Sequence, residues 1–169
     1  MFKQDIDNIK QVNNKITFIY HGNCLAAAKL RNYIKNNIYS YLIDKVTIYE
    51  NKSHATNEFL ASRRFGLLVL NNLNVNDDSV GNLYVVGPKM VMSSDIVGLS
   101  FVYDTPIIYL RDKEVIKCKL NISYDCGETH QKWNCTSGTT FSEISPETFQ
   151  FSFELTGVLS IDQIIDQIP

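Results

Sequence analysis

Residues Glu50 to Leu70, ENKSHATNEFLASRRFGLLVL, carry the reading on which the fold turns. They follow a strand-like run, Lys45-Val46-Thr47-Ile48-Tyr49, and open with the turn-formers Asn51, Lys52 and Ser53. Phe59, Leu60 and Arg63 then recur at spacings that place them on one side of a short helix. Gly66 stands where a helix needs a left-handed terminating residue, and Leu67-Leu68-Val69-Leu70 reads as a buried strand. Strand, turn, helix, glycine and strand succeed one another without a phosphate loop, a nucleophile elbow or a metal-ligand spacing. By itself the unit reads as scaffold.

The whole chain sets the outer bounds. Its 169 residues make one domain or two small ones, with enough length to bury a core. A net charge of −2, with lysines and arginines dispersed, provides no global basic field for nucleic acid. No apolar run approaches the roughly 18 residues of a membrane span, and the N-terminal MFKQDIDNIKQ lacks a signal peptide's apolar segment. The expectation is a soluble intracellular protein, in nucleus or cytoplasm. Its 16 Asn and 18 Ile match the usage of an AT-rich genome, so a viral source, with a virion or viral factory as location, is included. In a reducing compartment Cys24, Cys118, Cys126 and Cys135 read as free thiols. The competing arrangement is a zinc site from Cys118, Cys126, His130 and Cys135. Its C-x3-H-x4-C run is not a common zinc spacing, and Cys118 falls on a strand's apolar face. No metal or cofactor is expected.

Along the chain, Ile16, Phe18 and Tyr20 alternate as a half-buried strand. Asn23 can cap a helix in which Ala26, Leu30, Tyr33, Ile34, Asn37, Ile38 and Tyr41 form an apolar stripe, read either as core or as a dimerisation surface. After a polar loop from Asn71 to Asn82, strands are expected at Leu83–Val86, Pro106–Leu110 and Ile116–Tyr124. Phe149, Phe151, Phe153 and Leu155 mark another, with an aromatic face. Ser160 caps a closing helix whose Ile161, Ile164, Ile165 and Ile168 share a side. The segment CGETHQKWN, with His130, Lys132 and Trp133, is the most chemistry-like, but it has no partner nucleophile or carboxylate motif.

Several of these stretches, in order, resemble the α-like subunits of cellular RNA polymerases: the bacterial α N-terminal region, the archaeal D subunit and the third-largest subunit of eukaryotic polymerase II. The family's E-N-T-S-x-x-x-D-E-x-x-A-H-R-L-G-L-I-P-L is matched at Glu50-Asn51, Ser53, Glu58, Ala61, Arg63, Gly66-Leu67 and Leu70. Its helix L-x-N-A-L-R-R-I is matched at Leu30-Arg31, and D-x-V-x-I at Asp44, Val46 and Ile48. Further matches are Gly87-Pro88, Pro106-Ile107, Leu110-Arg111, Lys132-Trp133, and then Phe149, Phe151, Glu154, Gly157, Leu159 and Ile164. Ser62, Val69 and Asn57 depart from the family's His, Pro and Asp, and Asn32 from its second arginine. The cysteine-rich metal loop of some members is absent between Cys24 and Cys118.

The resemblance implies an α+β fold: a discontinuous dimerisation domain of helices packed on an antiparallel sheet, residues 1–72 plus 141–169, and a mostly β insert, residues 73–140. It implies a non-catalytic assembly subunit that pairs with a smaller α-like subunit and docks the largest and second-largest subunits, without sequence-specific DNA contact and without a membrane. The pairing surface would comprise Ala26, Leu30, Arg31, Tyr33, Ile34, Ile38, Ile161, Ile164, Ile165 and Ile168, the stripe being partly exposed in the isolated chain. Docking to the large subunits would use Glu58, Arg63, Arg64, His130, Lys132 and Trp133. Catalytic magnesium needs clustered carboxylates, and Asp77-Asp78, the one adjacent acidic pair, lies in a polar loop. Two other readings stand beside this one: a small α/β ligand-binding or transferase domain with its site around His130 and Trp133, and a virus- or plasmid-encoded mimic that binds a host polymerase.

Overall fold

The computed structural model describes residues 2–169. Strands β1 (Ile6–Val12), β2 (Lys15–His21) and β3 (Tyr39–Asn51) are interrupted by helix α1 (Cys24–Asn36) after β2. Helix α2 (Asn57–Arg63) leads to β4 (Val80–Val86), β5 (Lys89–Met92), β6 (Pro106–Leu110) and β7 (Val115–Cys126). β8 (Thr136–Ser145), β9 (Thr148–Leu155) and α3 (Ile161–Gln167) complete an α+β chain. It divides into two units. One takes the chain up to Ser40 and again from Asp125 to Pro169; the other is Tyr41–Tyr124.

In the discontinuous unit a four-stranded sheet runs β1-β2-β9-β8, with its pairings antiparallel. Period-two alternation puts Ile16, Phe18 and Tyr20 on one face of β2, opposite Phe153, Phe151 and Phe149 of β9. The Phe18 and Phe151 rings stack at 4.9 Å, and Phe141 from β8 stacks on the other side at 5.3 Å. Helix α1 adds Ala27, Leu30 and Ile34 to this core, and α3 adds Ile164. Both helices begin at polar caps: Asn23 accepts from the Ala26 N–H at 2.9 Å, and Ser160 forms a capping box with Gln163.

The continuous unit has a three-stranded sheet, β3-β7-β4, and a two-stranded pair, β5-β6. Leu83 and Val85 of β4, Ile116, Cys118 and Leu120 of β7, and Leu60 of α2 share its core with Phe65 and Leu70. The division differs from the expected boundaries at 72/73 and 140/141. Residues 41–72 pack with the β4–β7 segment because β3 pairs with β7, while residues 125–140 join the other unit because β8 pairs with β9.

Three local expectations are also corrected. The first helix stops at Asn36, and the Asn37 N–H closes its last turn on Tyr33 O at 2.8 Å. Two successive Asn are weak helix formers, and the β-favouring Ile38-Tyr39 that follow lead into β3. Gly66 lies inside a short 3-10 turn, Phe65–Leu67, rather than ending a helix in the left-handed region. Its missing Cβ matters for space: one added there would sit 2.8 Å from Ala61 O. Leu67–Leu70 is not a strand; Leu70 makes a single bridge to Phe101, and Leu67 is exposed.

Phe151 touches aromatic rings on both neighbouring strands, so its loss leaves a large cavity in a packed core. Phe151→Ala should cost the discontinuous unit about 3–5 kcal/mol. Denaturant unfolding followed by near-ultraviolet dichroism checks this; a cost under about 1 kcal/mol would contradict the packing described.

Candidate assembly surfaces

The Asn51 side chain organises the turn between β3 and α2. Its Oδ1 accepts from the Ser53 N–H at 2.9 Å and the Ser53 hydroxyl at 2.7 Å. Its Nδ2 donates to Ala55 O and to Asn57 Oδ1, both at 2.8 Å. All the capacity of one short amide is thus spent holding seven residues in place, which explains why an Asn and a Ser stand two apart. Thr56 then caps α2 by accepting from the Phe59 N–H at 3.2 Å. The turn presents Glu58, Arg63 and Arg64, all exposed, at the surface of the continuous unit. The Arg64 guanidinium lies 5.0 Å from the Phe59 ring centroid.

The expected pairing stripe lies in the other unit and behaves differently from the expectation of partial exposure. Leu30, Ile34 and Ile38 are buried, as are Ile164 and Ile168. They face the sheet, because a helix on an aromatic sheet face must cover it to remove that face from water. Ala26, Arg31, Tyr33, Ile161 and Ile165 are half-buried and form the rim of the same core. Arg31 donates from Nε to Thr139 O at 3.3 Å. The Tyr33 hydroxyl donates to Gln167 O at 2.8 Å, fastening α1 to α3. The Gln167 side chain in turn takes the Tyr39 N–H at 2.7 Å and donates to Tyr39 O at 2.9 Å. On the outward side of α1, Leu25 is exposed, a residue the helical stripe did not include. Ile34→Asp therefore strikes the core and reads folding rather than pairing.

His130, Lys132 and Trp133 also belong to the discontinuous unit, whereas the α2 residues belong to the continuous one. His130 Nδ1 accepts from the Lys132 N–H at 3.1 Å and caps a 3-10 turn. The Lys132 ammonium covers the Trp133 ring at 4.1 Å, and the indole is buried. Within this loop the Trp133 Nε1 and Asn134 Oδ1 are buried without a hydrogen-bond partner. Of the four cysteines, Cys118 belongs to the continuous unit and the other three to the discontinuous one. Cys118 sits in the core of the continuous unit, where burial pushes its thiol up to about 12. Cys126 and Cys135 are buried in the other unit, and burial pushes Cys135 up to about 11. Among the described residues, no three or more His, Cys, Asp or Glu cluster as metal ligands. No helix among them is long and apolar enough to cross a membrane.

No protein-family model matches the chain. Comparison with curated proteins makes it a distant homologue of the α-like subunits of RNA polymerase. The relative that carries this is DNA-directed RNA polymerase subunit Rpo3 of Methanocaldococcus jannaschii. The two are 26% identical over 143 residues, spanning 82% of this chain and 74% of the relative.

Asn51→Ala removes four hydrogen bonds from a partly buried turn and should cost about 1–3 kcal/mol, with a slower migrating, protease-sensitive α2 region as a second readout. A neutral result in denaturant unfolding would show that the turn is held by something else. The thiols offer an independent check, since only the thiolate reacts. At pH 8 Cys24 should label rapidly with maleimide in the folded protein, whereas Cys118 and Cys135 should label only in denaturant. Mass spectrometry of native Cys118 adducts would contradict the burial described.

Proposed function

We propose that this chain is a non-catalytic assembly subunit of a DNA-dependent RNA polymerase, pairing with a smaller α-like subunit and docking the two large catalytic subunits. The observation that carries the reading is the length of the match to Rpo3. At 143 residues it is too long to lie within either unit, so the likeness covers the discontinuous architecture as well as one motif. The Asn51 turn supports it, because Asn51 and Ser53, which this chain shares with the family motif, are hydrogen-bonded to each other within the turn.

Under this reading the side chains divide by their burial. Leu30, Ile34, Ile38, Ile164 and Ile168 build the core that holds α1 and α3 in place. The half-buried rim of Ala26, Tyr33, Ile161 and Ile165 is the part a partner helix would cover, with exposed Leu25 beside it in sequence. A rim of this kind gains from removal from water without requiring the subunit to refold. Glu58, Arg63 and Arg64 are presented by a rigid turn and suit large-subunit docking; His130 and Lys132 remain exposed on a separate loop for the same purpose. The reading of a small-molecule site around His130 and Trp133 draws less support, because the indole is buried with Lys132 over its ring.

Tagged protein purified from its native source should carry a smaller α-like chain and two large polymerase chains at one-to-one stoichiometry. Arg63→Glu combined with Arg64→Glu should lower recovery of the large chains at least about tenfold while leaving the smaller partner and the unfolding midpoint unchanged, since both side chains are exposed. Lys117→Asp, on the polar face of β7, should change neither. Stoichiometric recovery of unrelated proteins, with no polymerase chain, would end this reading.

A further inference from the structure

A cleft of about 760 Å3 opens in the continuous unit between the start of α2 and strand β6. One wall is made by His54, Phe59 and Arg64, the other by Met90 and by residues 106–109. Those last four are consecutive. Side chains alternate across a strand, so a cleft lying on a sheet face meets every second residue; one that meets four in succession runs along the strand's edge. The topology agrees. β6 pairs with β5 alone, in a two-stranded sheet, and no described residue bonds to its other edge. Pro106 removes a donor only at the first position of the strand.

The surroundings of that edge are apolar and basic. Phe59, Met90 and Tyr109 are each between two-fifths and just over one-half exposed, and Met90 stands directly opposite Tyr109 across the ladder. Ile107 and Ile108 beneath them are buried. Natural edges are usually blunted by charge or covered, and this one is neither. At the α2 end, Arg64 rests on the Phe59 ring, and neither it nor the exposed neighbour Arg63 has a carboxylate partner among the described residues. His54 and Tyr109 are the cleft's other titratable groups, and His54 faces Glu114 at 3.9 Å.

We infer that β6 accepts an extended peptide segment as an added strand, whose apolar side chains enter the cleft and whose carboxylate meets Arg64. Backbone hydrogen bonds supply the attachment, and the cleft with Arg64 supplies selection for apolar and acidic residues in alternation. Resting on the polymerase reading, the segment belongs to one of the large subunits; the cleft itself depends only on this chain.

Two measurements separate the cleft from that reading. In the first, the full chain is titrated with a synthetic hexapeptide alternating valine and glutamate, and backbone amide resonances are followed. Saturable shifts at Ile107, Ile108, Tyr109 and Leu110 are expected, with a Kd of about 0.1–1 mM. A peptide N-methylated at alternate residues, and one with lysine for glutamate, should each bind at least about tenfold more weakly, and Arg64→Glu should abolish the preference for glutamate over lysine. Absence of saturable shifts, equal binding of the N-methylated peptide, or the same shifts produced instead by a twelve-residue oligothymidylate would overturn the inference. In the second, amide hydrogen exchange is compared between the free chain and the complex from its native source. Slowing of the 107–110 amides by at least about tenfold is expected on assembly. Large polymerase chains recovered with those amides exchanging at the free rate would overturn the inference and leave the function standing. Peptide binding at β6 without recovery of polymerase chains would do the reverse.

Discussion

The stack of Phe18, Phe151 and Phe141 is the contact on which the discontinuous unit depends. The three rings occupy register-matched positions on β2, β9 and β8, so one aromatic column spans three strands. Phe153 and Tyr20 meet its members edge-on, at 6.3 Å from Phe18 and 5.9 Å from Phe151. Such pairs add about 0.5–1.5 kcal/mol each beyond the area they bury. Their larger effect is on topology. Aromatic column, α1 and α3 together require that residues before Ser40 and after Asp125 come together, whatever lies between. The intervening segment is then free to build a second core of its own, around Ile116, Leu120 and Phe65.

Asn51 does locally what the aromatic column does globally. A turn of this length has backbone donors and acceptors that no ladder can satisfy, and a single carboxamide answers several of them. Aspartate at that position would lose the two donor bonds to Ala55 O and Asn57 Oδ1, and glutamine would reach past them. The exposed charges of α2 thus follow directly on a turn held by one side chain.

The strands with clean alternation, β2, β7 and β9, were legible because one face is buried and the other is wet. The starts of α1 and α3 were legible from their caps. β1 and β8 were not, and the reason is the same for both. In IDNIKQV only Ile6 is partly covered, and TSGTTFSEIS is dominated by hydroxyls, so edge position replaces hydrophobic pattern as the cause of the strand. The stripe on α1 was read correctly as one-sided, but sequence periodicity does not say whether its partner is another chain or the chain's own sheet. Five fully or nearly buried side chains answer that for Leu30, Ile34, Ile38, Ile164 and Ile168. The β6 edge had no signature at all, since an unpaired edge is a property of what is missing beside a strand.

The pairing of β2 with β9 also bears on how the protein is made. Ile16 and Phe153 are neighbours in the sheet yet are separated by nearly the whole chain. During synthesis β2 and α1 leave the ribosome with their apolar faces complete and their covering strand not yet translated, at about 5–20 residues per second. The continuous unit, which is one uninterrupted stretch from residue 41 to 124, can close in that interval. The first forty residues therefore spend several seconds as an adhesive segment, a window in which a chaperone or a partner subunit acts before the fold does.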